Sequence, residues 1–72
     1  MFMSELTIQF GQLVRKDRKE SNMLQEQLAL FCNKDRSYLG WIERGEINPT
    51  LEKIYELADA LKITPTSLLP VN

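Results

Sequence analysis

The amino-acid sequence predicts a small all-α fold of five short helices. Two observations carry this prediction. Apolar residues recur at spacings of three and four along most of the chain, and residues that cap or end helices stand between these segments. No segment carries the signals of a β-strand. Because the chain has only 72 residues, we expect one domain that spans 1–72.

The first helix is expected from about Leu6 or Thr7 to about Lys19, after a frayed segment at residues 1–5. Its inner face is formed by side chains at helical spacing: Phe10, Leu13 and Val14. The residues 20–22 should end this helix, because asparagine adopts the left-handed conformation that a turn needs.

The second helix is expected from near Leu24 to near Cys32, with Leu28 and Ala29 facing inward. Leu24 is a poor N-cap because its side chain cannot accept a backbone hydrogen bond, and Gln25 should compensate in part. Asn33 is expected in the turn that follows.

The third helix is expected from about Arg36 to Arg44, capped by Asp35 and ended by Gly45. It points Leu39 and Ile42 inward. Thr50 should cap a fourth helix, whose inner stripe is Ile54, Leu57, Ala58 and Leu61.

A last short helix should open at Thr64-Pro65, because a capping residue followed by proline is a helix start signal. It holds Leu68 and Leu69, and Pro70 ends it.

The composition argues against catalysis. There is no histidine and only one cysteine, so a metal site or a histidine-activated nucleophile lacks its residues. The sequence also lacks a paired-carboxylate motif and a glycine-rich phosphate loop. We therefore expect no enzyme, no metal and no cofactor, and we expect Cys32 to be a small core residue.

The chain shows no targeting or membrane segment. Its first five residues have no basic stretch before a long apolar run, and the longest apolar run, 28–32, is too short to cross a bilayer. One unpaired cysteine is typical of a reducing compartment. We expect a cytoplasmic protein.

The second and third helices together have the form of a DNA-reading unit. Two short helices joined by a tight turn, with polar side chains at the start of the second, fit the major groove. Arg36 is the first candidate for base reading, since a guanidinium can bond two acceptors of guanine at once. A solvated Arg36 paired with Asp35 is the alternative.

Four further residues extend this candidate site. Ser37 can bond a base or a phosphate, and Tyr38 can reach a phosphate or a thymine methyl group. Half-buried packing under the first helix is an equal alternative for Tyr38. Trp41 is expected on the outer face, where it faces DNA, packs on a partner or only covers the core. Lys34, in the turn, can reach the DNA backbone.

The formal net charge of −1 is unusual for a nucleic-acid binder, because phosphate contacts supply much of the affinity. The positions of the charges still permit a basic face opposite an acidic one. Basic residues cluster in the first helix and around the third: Arg15, Lys16, Arg18, Lys19, Lys34, Arg36 and Arg44. Acidic residues gather later: Glu52, Glu56 and Asp59.

An ordered series of residues runs without a gap from about Phe10 to Leu69. Its members are Arg18, Gln25, Leu28-Ala29, Leu39, Ile42-Glu43-Arg44-Gly45, Asn48-Pro49-Thr50-Leu51 and Leu57-Ala58-Asp59-Ala60-Leu61. In this series the chain resembles the Cro/cI repressor-like helix-turn-helix family, also called the Xre family. The resemblance implies a lambda-repressor-like domain with the helix-turn-helix at helices 2–3, residues 24–44.

Within that family, the segments 35–38 and 42–45 most resemble controller proteins of restriction–modification systems, which are small dimeric regulators that bind operator DNA. The resemblance implies that Gln25, Arg44 and Asn48 bind phosphates. It also implies that Arg18 and Glu43 form a structural ion pair between the first and third helices.

The C-terminal part carries more apolar surface than so short a segment needs, and we expect a dimer interface there. Its candidate residues are Tyr55, Ile63, Leu68, Leu69 and Val71. A two-fold dimer would place two recognition helices about 34–36 Å apart, one turn of DNA.

The predicted function is a sequence-specific transcriptional regulator that binds double-stranded DNA as a homodimer on a (pseudo)palindromic operator. RNA polymerase is a further candidate partner. The alternative is a protein-interaction module on the same fold, antitoxin-like or phage partner-binding, which the acidic balance and Trp41 favour.

Overall fold

The computed structural model describes residues 4–70. They form four α-helices, Glu5–Glu20 (α1), Gln25–Phe31 (α2), Arg36–Arg44 (α3) and Leu51–Leu61 (α4), followed by a 3₁₀ helix at Pro65–Leu68. The all-α prediction is confirmed, and residues 4–70 contain no strand. No helix in this range is long and apolar enough to cross a membrane.

The predicted fifth helix is wrong as an α-helix. Its backbone bonds join Ser67 N–H to the carbonyl of Thr64 and Leu69 N–H to that of Thr66, which is the i to i+3 pattern. Only four residues separate Pro65 from Pro70, so the segment closes one tight turn and goes no further.

The start of α1 also differs from the prediction. Ser4 and Glu5, expected to be frayed, are the N-cap and the first residue of α1. The Ser4 hydroxyl accepts from Thr7 N–H at 3.1 Å, and the Thr7 hydroxyl accepts from Ser4 N–H at 3.0 Å. Such a reciprocal cap stabilises a helix start by about 1 kcal/mol. Residues 1–3 lie outside the described residues.

The predicted turn residues have left-handed backbones. Asn22 has φ 58°, Asn33 has φ 54° and Gly45 has φ 76°. The Asp35 carboxylate caps α3 by accepting from Tyr38 N–H at 3.2 Å. Helix α2 has no side-chain N-cap, as expected from Leu24, but the compensating bond comes from Gln27 rather than Gln25: its amide oxygen accepts from Leu24 N–H at 2.7 Å.

The core contains residues from all four helices and the 3₁₀ turn. Its members are Phe10, Val14, Leu28, Ala29, Cys32, Leu39, Ile42, Leu57, Ala58, Leu61 and Leu68. These include most of the predicted inner positions, whereas Leu13 and Ile54 are only partly buried. Cys32 is a core residue, as predicted.

Helix α3 packs closely on α1. A Cβ atom on Gly11 would lie 2.3 Å from the carbonyl oxygen of Ile42, so only glycine permits this approach of the two backbones. Leu39 and Ile42 fill the buried side of α3. The packing therefore fixes which side of α3 faces outward.

Candidate nucleic-acid interface

The outer side of α3 carries a shallow groove, which we call the α3 groove. It is lined by Gln25, Arg36, Ser37, Gly40, Trp41 and Arg44. Its five α3 positions recur at intervals of about four residues, so they share one helix face opposite the buried Leu39 and Ile42. The groove brings together three side chains proposed to read bases and two proposed to bind phosphates.

Trp41 belongs to this groove. Its side chain is 45% exposed and is not among the partly buried residues that pack against the core. The indole therefore lies beside Arg36 and Arg44 as part of the outer face. This placement argues against the interpretation of Trp41 as additional cover for the core.

A buried ion pair stands behind the groove. Arg18 Nε donates to Glu43 Oε2 at 2.6 Å and Arg18 Nη2 donates to Glu43 Oε1 at 3.2 Å. The two side chains are only 10% and 4% exposed. Arg18 Nη1 also donates to the carbonyl of Met23 at 2.8 Å, which ties α1, α3 and the loop before α2 together.

Gln25 joins the same network. Its Nε2 donates to Glu43 Oε1 at 2.9 Å, so one carboxylate accepts from both α1 and α2. This bond, absent from the sequence prediction, orients the Gln25 amide at the edge of the α3 groove. One hydrogen of that amide remains to donate to an anion.

Arg44 forms a second, exposed ion pair. Its Nε and Nη2 donate to the two carboxylate oxygens of Glu46 at 3.0 and 3.1 Å. These hydrogen bonds raise the pKa of Arg44 and lower that of Glu46. The guanidinium lies over Gly40, where a Cβ atom would stand 2.9 Å from Nη1.

Tyr38 lies apart from the groove. Its ring is half-buried against the core, and this burial is the main cause of its raised pKa. The other side chains that influence this pKa are Lys53, Cys32 and Glu56, on α4 and at the end of α2. The partial burial of Tyr38 favours the packing alternative, and its hydroxyl lies near these elements.

The side chain of Lys34 lies over the ring of Tyr38. Its Nζ lies 5.1 Å from the centroid of the Tyr38 ring, a cation–π distance. Lys34 is exposed and does not line the α3 groove. Asn48 is also absent from the groove and instead borders an apolar depression near Leu6, Phe10 and Leu69.

The predicted dimer residues separate into three groups. Tyr55 and Ile63 line one shallow groove, which also contains Asp59 and Pro65. Leu69, 39% exposed, borders the apolar depression. Leu68 is fully buried in the core, so its assignment to a dimer interface is wrong, because the 3₁₀ turn points this side chain inward. Val71 lies outside the described residues.

The single thiol of the described residues, that of Cys32, lies in the core. Burial raises the pKa of the Cys32 thiol, which keeps it protonated at neutral pH. Residues 4–70 hold no cluster of three or more histidine, cysteine, aspartate or glutamate side chains that could bind a metal ion.

Two residues that lie beside the Arg44 side chain were not predicted from the sequence. Gly40 stands in the interior of α3, where glycine costs about 1 kcal/mol relative to alanine, and this cost is a signal of a close approach. Glu46 stands two residues after Arg44, and its pairing depends on the left-handed turn at Gly45. The sequence shows the turn but not the direction of the Glu46 side chain.

Comparison with known proteins places this geometry in a family. A helix-turn-helix family matches residues 14–68. The control protein C.BamHI of Bacillus amyloliquefaciens is 42% identical over 67 residues, which cover 92% of this chain and 83% of that protein.

Solved structures of controller proteins are also similar to this chain. The restriction–modification controller protein C.AhdI of Aeromonas hydrophila superposes with a TM-score of 0.84 at 43% identity, over 88% of this chain and 91% of that chain. A tetramer of the controller protein C.Esp1396I on its natural 35-base-pair operator superposes with a TM-score of 0.80 at 31% identity, over 90% and 86% of the chains. The chain therefore belongs to the helix-turn-helix family that includes the restriction–modification controller proteins.

Proposed function

We propose that this protein is a restriction–modification controller, a sequence-specific DNA-binding regulator that acts as a homodimer on its operator. The observation that carries the proposal is the α3 groove. It gathers two arginines, a serine, a glutamine and a tryptophan on the solvent side of the second helix of the motif. A surface of this kind supplies both base-edge contacts and phosphate contacts.

Arg36 is the principal base reader in this proposal. It lies at the first position of α3 and is exposed, and no carboxylate within residues 4–70 lies within 4 Å of its charge. This favours the functional interpretation over a pair with Asp35, whose carboxylate caps the helix instead. Ser37 and Trp41 extend the reading surface by a hydroxyl and by apolar contact with thymine methyl groups.

Phosphates bind at the border of the groove. Gln25 donates its remaining amide hydrogen and Arg44 offers its guanidinium. Lys34 and Asn48, which lie outside the groove, contact the DNA backbone farther along the duplex. The Arg18–Glu43 pair holds the helices that carry these groups and touches no DNA.

Dimerisation supplies affinity that a monomer of net charge −1 lacks, because two linked sites double the phosphate contacts. The exposed ring of Tyr55 and the neighbouring Ile63 form the interface, with Leu69 at its border. The similar protein C.Esp1396I occupies its operator as a tetramer, an even number of chains that two dimers provide.

The regulator acts in the cytoplasm on promoter DNA. It excludes RNA polymerase from the promoter or supports its binding there, so the polymerase is the second macromolecular partner of the DNA-bound dimer. Transcription from a promoter that carries the operator, measured with and without the protein, tests this extension and gives the sign of the regulation.

The Arg36→Ala substitution tests base reading. The variant should bind a duplex selected from a random pool by the unaltered protein more weakly, by about 1–3 kcal/mol. A new selection with the variant should show relaxed preference at one base pair. Arg15→Ala is the matched control, since Arg15 is exposed on α1 and outside the groove. Unchanged base preferences in Arg36→Ala would contradict the assignment.

The Tyr55→Asp substitution tests the interface. Because Tyr55 is 58% exposed, a charge there should leave the fold intact and separate the dimer, which sedimentation equilibrium measures as a lower mass at micromolar concentration. Leu30→Asp is the control, an exposed leucine on α2 outside both grooves. A dimer that survives in Tyr55→Asp would place the interface elsewhere.

A further inference from the structure

The two arginines of the α3 groove differ in their charge environment. Arg36 has no carboxylate within 4 Å among residues 4–70, whereas Arg44 donates two hydrogen bonds to Glu46. The paired side chains are 57% and 35% exposed, so the pair stands at the surface where a ligand can reach it. The protein therefore presents one uncompensated arginine and one neutralised arginine in the same groove.

The turn after α3 determines the position of the Glu46 backbone. Gly45 ends α3 in the left-handed conformation, and Glu46 N–H then donates to the carbonyl of Trp41 at 2.9 Å. This turn reverses the chain and directs Glu46 back toward the last turn of α3. Glu46 thus pairs with Arg44 from a fixed position.

Gly40 provides the space for the arginine. A Cβ atom at this position would lie 2.9 Å from Arg44 Nη1, so the missing side chain lets the guanidinium lie across the helix. In this position Arg44 reaches both the groove and Glu46. The turn at Gly45 and the gap at Gly40 together define the pair.

A carboxylate and a phosphate bind a guanidinium in the same way, through two parallel N–H donors. Resting on the proposed function, we propose that Glu46 occupies the place on Arg44 that a DNA phosphate takes in the complex, and so lowers the affinity for DNA. Binding exchanges one anion for another at Arg44 and gains little there. Only Arg36 and the unpaired basic residues then contribute their full charge.

The salt dependence of DNA binding should reflect this exchange of anions at Arg44. A protein that neutralises Z phosphates shows a slope of log K against log salt of about −0.9Z. An arginine that is already paired with a carboxylate adds less than one to Z. Removal of the Glu46 charge should therefore steepen the slope by up to about 0.9 for each protomer that contacts DNA.

The Glu46→Gln substitution tests this, with a duplex selected by the unaltered protein and a scrambled duplex of equal length. We expect about threefold to tenfold tighter binding of both duplexes at low salt, together with the steeper slope. Glu20→Gln is the matched control, because Glu20 forms an exposed pair with Lys16 at 3.2 Å, outside the groove. It removes the same charge and should change affinity and slope much less.

A second comparison identifies the cause. In an Arg44→Ala background the gain from Glu46→Gln should disappear, because no masked cation remains. A gain that persists in this background, or equal effects of Glu46→Gln and Glu20→Gln, would overturn the proposal. Weaker binding of Glu46→Gln with an unchanged slope would also overturn it, since Glu46 would then position Arg44. If the unaltered protein binds neither duplex at low salt, the proposed function itself fails.

Discussion

The Glu43→Ala substitution is the strongest test of how this fold is held together. It removes the acceptor of three hydrogen bonds, two from Arg18 and one from Gln25. The Arg18 side chain is 10% exposed, so its charge loses its partner without gaining full contact with water. A buried charge left in this state costs about 3–5 kcal/mol.

This cost is large relative to the whole stability. A chain of 72 residues has a free energy of unfolding of roughly 4–11 kcal/mol. For domains of this size each kcal/mol lowers the melting temperature by about 4–8 °C. Glu43→Ala should therefore lower it by roughly 12–40 °C.

Urea denaturation at pH 7 and constant protein concentration measures the loss in free energy of unfolding. The signals are circular dichroism and the fluorescence of the single tryptophan, Trp41. Glu20→Ala breaks an exposed pair and should cost less than about 1 kcal/mol. The double substitution Arg18→Met with Glu43→Leu should recover most of the loss, because apolar side chains of similar size remove both buried charges.

Two results would refute this reasoning. A loss below about 1 kcal/mol in Glu43→Ala would mean that water reaches Arg18 and compensates its charge. A double variant as unstable as the single one would mean that the pair acts through the shape of its side chains, with its charge making little difference.

Two further predictions concern the backbone and the thiol. Gly45→Ala should lower the free energy of unfolding by about 2 kcal/mol in the same urea assay, because φ is 76° and the new Cβ would lie 2.7 Å from Ile8 Cα. An unchanged midpoint of urea unfolding would contradict this. Cys32 should react with a thiol reagent at pH 8 at least about a hundredfold more slowly in the folded protein than in urea, since burial raises the pKa of its thiol. Equal reaction rates in the folded and the urea-unfolded protein would show that the thiol is accessible.

The elements that the sequence predicted well depend on local chemistry. Asp35 and Thr50 cap α3 and α4 because a short side-chain oxygen reaches the backbone N–H three residues on. Gly45 ends α3 because it accepts a positive φ. Ser4 caps α1 by the same chemistry, yet it lies within a segment expected to be frayed from its position near the chain end.

Other errors arise where a contact joins distant parts of the chain. Leu68 and Leu69 are neighbours with the same side chain, but the 3₁₀ turn buries the first and exposes the second. Tyr38, for which DNA contact and packing were equal alternatives, packs partly against the core near groups on α4 and at the end of α2. Periodicity cannot separate such neighbours, because the partner elements decide which side is covered.

The sequence by itself determined the four α-helices and most of the core, because spacing, caps and turn residues are properties of short segments, and its ordered series of residues carried the resemblance to the family. It also indicated the side chains that line the outer face of α3. The tertiary structure decided how their charges are used. Packing on α1 and α2 leaves the Arg36 charge without a carboxylate partner at the groove and joins Glu43 to Gln25 as well as to Arg18. The turn at Gly45 places Glu46 against Arg44. These pairings depend on side-chain directions that only the assembled helices define.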